Sequence, residues 1–141
     1  MSSRHRSREL AVQMNYQWDL DPKSLSDPKV IQRFWQEQAK ASEDTREFFE
    51  ILVRGTAEYL PQIDSHITSV LENWRLDRIE KVDLAILRLA TFELFFNHDA
   101  PDAVVVNEAI EIAKKFGNRD SSSFINGILD ALLRRKKQNE S

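Results

Sequence analysis

One stretch constrains this chain more than any other. From Arg78 to Phe96 the residues are apolar almost all the way around a helical wheel. Val82, Ala85, Ile86, Leu89, Ala90 and Leu94 cover one side, and Leu84, Leu87 and Phe95 occupy others. A helix that is apolar on all sides must be buried on all sides, so the spacing predicts a central helix wrapped by neighbours. Its few charges, Glu80, Asp83, Arg88 and Glu93, must then reach an edge or find partners.

The wrapping elements are helical too. Three glycines and four prolines among 141 residues are too few turn-formers for a many-stranded sandwich or barrel. Leu10, Ala11, Met14 and Trp18 form one helical stripe, with Arg4 and Arg8 beside it if the helix reaches that far. Asp27-Pro28 reads as a helix start, followed by a buried face of Val30, Ile31, Phe34, Trp35 and Ala39. Ser42 to Thr45 caps a third helix carrying Phe48, Phe49, Leu52, Val53, Thr56 and Tyr59. Pro61 ends or bends it, and Ile63, Ile67, Val70, Leu71 and Trp74 continue as a fourth. After the break at Ala100-Pro101, Val104-Val105-Val106 reads as the approach to a helix of Ala109, Ile110, Ile112, Ala113 and Phe116, stopped by Gly117. Asp120 caps a last helix with Phe124, Ile125, Ile128, Leu129, Leu132 and Leu133. The expectation is an all-α fold of seven helices in one domain spanning 1–141. Its N-terminal helical subdomain would cover about 1–75 and its C-terminal one about 76–137, with a basic tail over 134–141.

Charge is unevenly spread along the chain. Of 20 cations, 13 lie in residues 9–133, with 22 of the 23 acids, so that body carries −9 against −3 for the whole. The cations left over are Arg4, Arg6 and Arg8 at one end and Arg134-Arg135-Lys136-Lys137 at the other. Two basic ends on an acidic body point to a local site for a polyanion, with solvated tails as the alternative.

Chemistry of the catalytic kind is hard to place here. With no cysteine, disulfides, thiolate metal sites and thiol nucleophiles are excluded. His5, His66 and His98 are far apart and outside any His-Glu-x-x-His frame, and no P-loop or dinucleotide fingerprint occurs. Carboxylate pairs such as Glu108/Glu111 and Asp64/Glu72 read as solvated surface charge. The residues indicate binding rather than catalysis, with no cofactor and no metal. No apolar run is long enough for a membrane span, and a cytoplasmic location is expected.

Several linked blocks carry a resemblance: Arg8-Glu9-Leu10-Ala11-Val12-Gln13 with Tyr16, the stretch Val82 to Leu94, Asn107 to Gly117, and Ser123-Phe124-Ile125-Asn126-Gly127-Ile128-Leu129-Asp130. Together they resemble the NusB family of bacterial transcription antitermination factors, over essentially the whole chain. The resemblance implies two packed helical bundles, no enzymatic activity, and a partnership with NusE, a small-subunit ribosomal protein. The pair would bind boxA RNA in ribosomal RNA operon leaders and, with other Nus factors, help RNA polymerase read through terminators. It places RNA contacts on Arg4, His5, Arg6 and Arg8 and on the turn Asp120 to Phe124, with Ser123 and Phe124 included. It places the NusE face on Glu80, Arg88, Phe92 and Glu93, for which internal ion pairing is the competing account. A homodimer is also possible within the family.

Each of these residues has a second, structural reading. Phe124 fits the core stripe with Ile128 as well as it fits a base-stacking role, and Asn126-Gly127 reads as a small step at a helix crossing. The arginine run departs from the family's denser one at His5 and Ser7, which would make RNA affinity weaker or pH-sensitive. Two other functions fit parts of the pattern: the RNA-binding module of a ribosomal RNA cytosine methyltransferase, truncated here, and a helical adaptor that binds protein only.

Overall fold

A computed structural model describes residues 3–22, 27, 29–37, 41–72 and 75–140. Its elements are α1 (Ser3–Leu20), α2 (Lys29–Glu37), α3 (Glu43–Glu58), α4 (Leu60–Ser69), a 3-10 turn (Leu76–Arg78), α5 (Lys81–Phe95), α6 (Asp102–Phe116) and α7 (Ser121–Glu140). Among the described residues there is no strand, and no helix is long and apolar enough to cross a membrane.

Helix α5 is the axis of the molecule. It lies against α1, α3, α4, α6 and α7, and from Asp83 to Leu94 only Arg88 escapes full burial. Ile86, Leu87 and Leu94 are among the fully buried side chains, as the all-round apolar wheel requires. The helix is three residues shorter at its start than the apolar run, because Leu76–Arg78 forms a separate 3-10 turn.

Local chemistry sets the boundaries. The Asp27 Oδ1 accepts from the Lys29 backbone N–H at 2.9 Å, which fixes the start of α2, while Pro28 lies outside the described residues. Ser42 Oγ accepts from the Thr45 N–H at 3.2 Å, and Glu43 and Asp44 face the positive end of α3. Pro61 sits in the first turn of α4, where a missing N–H costs no helical bond, so α3 ends at Glu58 and the chain turns at Tyr59. Helix α4 stops at Ser69; Ala39 and Trp74, expected on buried faces, lie outside the described residues.

Three expectations need correction. Val104, Val105 and Val106 belong to the first turns of α6 rather than to its approach: the β-branched run is overridden by burial of Val105 against the core. Gly127 meets nothing within 4 Å of where a Cβ would be, so it lies at no helix crossing. The run Arg134–Lys137 is the last part of helix α7, not a tail. Lys136 Nζ donates to both carboxylate oxygens of Asp102 at 3.0 and 3.1 Å, tying the end of α7 to the start of α6.

The glycine that matters for packing is Gly55, in the middle of α3. A Cβ there would come within 2.1 Å of the Phe92 ring, so α3 and α5 approach this closely only because the position has no side chain. Gly117 does end α6, but in an extended conformation (φ −86°) rather than a left-handed one. Space is its reason: a Cβ would meet Ser121 Oγ at 2.4 Å and the Ala113 carbonyl at 2.8 Å.

Candidate nucleic-acid interface

The N-terminal arginines stand on the first two turns of α1, and their surroundings differ from what their sequence neighbourhood implies. Arg8 is 3% exposed. Its Nε and Nη2 donate to the two oxygens of Glu93 at 2.9 Å each, a bidentate pair between α1 and α5, and its Nη1 lies 3.5 Å from Glu108 on α6. Arg4 pairs with Asp99 and lies over the Phe48 ring at 3.9 Å from its centroid. His5 sits between Glu108 and Glu9, and Arg6 Nη1 donates to Glu9 at 3.3 Å. Arg4 and Arg6 keep nearly half of their side chains in solvent.

Glu9 is the hub. Its side chain is almost wholly buried and takes Lys115 Nζ at 2.8 Å in addition to His5 and Arg6. Burial alone would raise its pKa, but the Lys115, His5 and Arg6 contacts outweigh that and hold the carboxyl below its ordinary 4.5. At Glu93 the balance falls the other way: deeper burial, with Glu108 and Asp99 nearby, raises its pKa despite Arg8.

Through Lys115 the arm meets a second region. Lys115 is in the last turn of α6, followed by Phe116, which is 37% exposed and lies under the Lys115 ammonium at 5.3 Å. The turn after it is held by Asn118: Oδ1 accepts from the Asp120 N–H at 2.8 Å, and the Asn118 N–H donates to Ser121 Oγ at 2.9 Å. Asp120 and Ser123 are exposed, with the Asp120 carbonyl accepting from the Phe124 N–H. Phe124 itself is half-buried against the core. The arm and the last turn of α6, more than a hundred residues apart in the chain, are thus joined.

The four residues expected on a protein-binding face are dispersed. Phe92 is 4% exposed and fills the space over Gly55, and Glu93 is the buried partner of Arg8. Arg88 is held bidentately by Asp64 at 2.9 Å and by Asp19 at 3.1 Å. Glu80 alone of the four is exposed, and it accepts from Asn118 Nδ2 at 2.9 Å. Glu108 and Asp64, read from sequence as solvated charge, are structural ion-pair partners.

Residues 5–134 match the sequence model of the NusB family. The chain belongs to that family. It is 47% identical over 132 residues to the transcription antitermination protein NusB of Trichlorobacter lovleyi, covering 94% of this chain and 91% of the relative. To NusB of Geobacter sulfurreducens it is 43% identical over 132 residues, 94% of each chain. Among solved structures it superimposes on T. maritima NusB with a TM-score of 0.82 at 35% identity, covering 98% and 97% of the two chains. It matches a chain from a crystal structure of antitermination factors NusB and NusE in complex with dsRNA with a TM-score of 0.85 at 26% identity, covering 96% and 98%. The NusB blocks read from sequence lie on α1, α5, α6 and α7.

Nothing in the sequence marks Lys115 or Phe116 as a binding residue. Lys115 reads there as a cation matched to the end of its helix and Phe116 as a core position; the signal that distinguishes them is the exposure of an aromatic ring beside Gly117.

Proposed function

We propose that this protein is a non-enzymatic antitermination factor that binds boxA-type RNA together with NusE. The observation that carries the reading is the joining of the α1 arm to the α6–α7 turn through Glu9 and Lys115. It brings Arg6 and Lys115 to one carboxylate, with His5 beside it and the exposed Phe116 ring next to Lys115. Guanidinium and ammonium groups suit phosphate oxygens, and an exposed ring suits an unpaired base. Phe116 is the better stacking platform, because it is exposed where Phe124 is half-buried against the core. Arg8 acts from behind, anchoring the arm through Glu93. The Trichlorobacter and Geobacter relatives are spanned almost end to end by this chain, which favours the antitermination reading over a methyltransferase module.

The partner face then falls where apolar side chains are exposed. Tyr16 and Leu20 are one turn apart on α1. Asp19, next to Leu20, holds Lys81 at 2.7 Å, which ties the end of α1 to the start of α5, where Glu80 is exposed. A gel-shift titration of boxA-type RNA against this protein, NusE and the mixture tests the assembly. The mixture is expected to bind more tightly than either protein; equal affinity for the mixture and the free protein would remove NusE from the mechanism. Replacing Phe116 by Ala should weaken RNA binding more than it weakens the fold, and Phe124→Ala the reverse.

A further inference from the structure

In three dimensions the basic arm is not basic. Arg4, Arg6, Arg8 and Lys115 carry four positive charges, and Asp99, Glu9, Glu93 and Glu108, all within ion-pair distance of them, carry four negative ones. The acids come from every side: Glu9 from α1 itself, Glu93 from α5, Asp99 from the α5–α6 connection and Glu108 from α6. They are of two kinds. Glu93 and Glu9 are buried and belong to the frame. Asp99 and Glu108 stand at the rim, with Asp99 45% exposed, and they contact Arg4 and His5, the residues a phosphate would meet.

We propose that Asp99 and Glu108 are intramolecular competitors of RNA phosphate, occupying Arg4 and His5 in the free protein and lowering its affinity for RNA. The proposal rests on the RNA-binding reading above and adds a restraint to it. A carboxylate and a phosphate present the same acceptor geometry to a guanidinium, so only one of them uses its full donor set at a time. The carboxylate is held on a folded scaffold within reach of the cation, which gives it the advantage of an intramolecular ligand. The Arg4–Asp99 pair is nearly half exposed and therefore weak, so phosphate displaces it at a cost rather than being excluded. The cost falls on every RNA equally, which makes RNA binding by the protein alone inefficient and leaves room for a partner to supply the missing affinity.

Fluorescence anisotropy with a short labelled single-stranded RNA at low salt tests this on the full chain. Asp99→Asn is expected to tighten binding about two- to five-fold, the fold-change that a weak exposed ion pair represents, and Glu108→Gln to tighten it in the same direction. The gain should vanish at high salt, where the screening length shrinks to the spacing of an ion pair. Glu58→Gln is the control, since it removes one acid about 20 Å along α3 from the arm-contacting Thr45. It should leave affinity unchanged. Asp99 is half exposed, so its variant keeps the test valid should Glu108→Gln disturb Arg8; thermal melting checks both. Unchanged or weaker binding by both variants, with Arg4→Ala still weakening it, overturns the competition and leaves the RNA reading standing. An equal gain from Glu58→Gln shows a diffuse field and overturns it as well. No RNA binding by the wild type, with or without NusE, overturns the RNA reading and the proposal with it.

Discussion

The two ends of the chain look alike as sequence and differ as structure. Both are short runs of cations, both are helical, and both contain acid partners close enough to pair with them. At the end of α7 Arg134 pairs in solvent with Asp130 one turn earlier on its own helix and Arg135 reaches the Ser69 carbonyl at 3.4 Å, while only Lys136, 14% exposed, turns inward to Asp102. At the start of α1 the pairs run inward, to Glu93 on the central helix and to the buried Glu9. A local count of charges sees two equivalent basic segments. Depth separates them, since an ion pair in solvent is worth about 0–1 kcal/mol, whereas stripping one partner from a buried pair costs several times that.

The sharpest way to break this contrast is at Arg8. Arg8→Ala leaves Glu93 in the core without its bidentate donor and is expected to cost about 3–5 kcal/mol of stability, measured by denaturant unfolding. The same change at Arg135 should stay within about 0.5 kcal/mol. A small effect at Arg8 would mean that the pair is solvated in practice and that the two ends are equivalent after all. This reverses the simplest expectation from sequence, in which Arg8 is one more exposed cation.

What made the fold legible was periodicity over long elements. The all-round apolar wheel of α5, the stripe of α7 and the caps at Asp27 and Ser42 are local signals, and local rules read them correctly. The errors came where a residue's role depends on something distant in the chain. Val104–Val106 carries a strand-like composition that the burial of Val105 overrules. Arg8 and Glu93 are 85 positions apart, Glu9 and Lys115 are 106 apart, and neither pairing leaves a trace in spacing. Phe92 is apolar in a binding motif and equally apolar in a core; only the space over Gly55 decides between them. Family resemblance points to α1 and the α6–α7 turn, while the division of its arginines into anchor and contact needed coordinates.

A second prediction sharpens the contrast through pH. Glu9 has its pKa held down in the folded state, so it binds fewer protons folded than unfolded near and below 4.5. Its contribution is therefore complete above that ordinary value and is lost as pH falls through the lower folded value. Glu9→Gln removes charge-assisted bonds to Lys115, His5 and Arg6 and is expected to cost about 1–3 kcal/mol at neutral pH. The gap between wild type and variant should close as pH falls below the ordinary 4.5 and through the lower folded value. Asp130→Asn, which removes the acid under Arg134, should show a small gap at every pH, because both groups are exposed. A Glu9 gap that stays constant with pH would place its role in packing rather than in charge.

The smallest effect is the one that locates the RNA. Only Arg4 and Arg6 of the α1 arginines remain able to meet phosphate, since Arg8 is buried under Glu93. Each phosphate deprived of its cation should flatten the slope of log affinity against log salt by about 0.7 for a single strand, so Arg4→Ala/Arg6→Ala should flatten it by somewhat over one unit. Because Arg4 keeps nearly half of its side chain in solvent and Glu9 keeps Lys115 when Arg6 is removed, helical content and unfolding midpoint should move little. Arg134→Ala/Arg135→Ala removes the same charge from the other end and should leave the slope unchanged. Slopes discriminate here where affinities do not. Removing two positive charges weakens RNA binding from either end, but only a charge that sits on a phosphate releases a counterion stoichiometrically. Equal flattening by both pairs would make the attraction diffuse and dissolve the distinction between the two ends, and flattening by the α7 pair alone would move the RNA across the molecule.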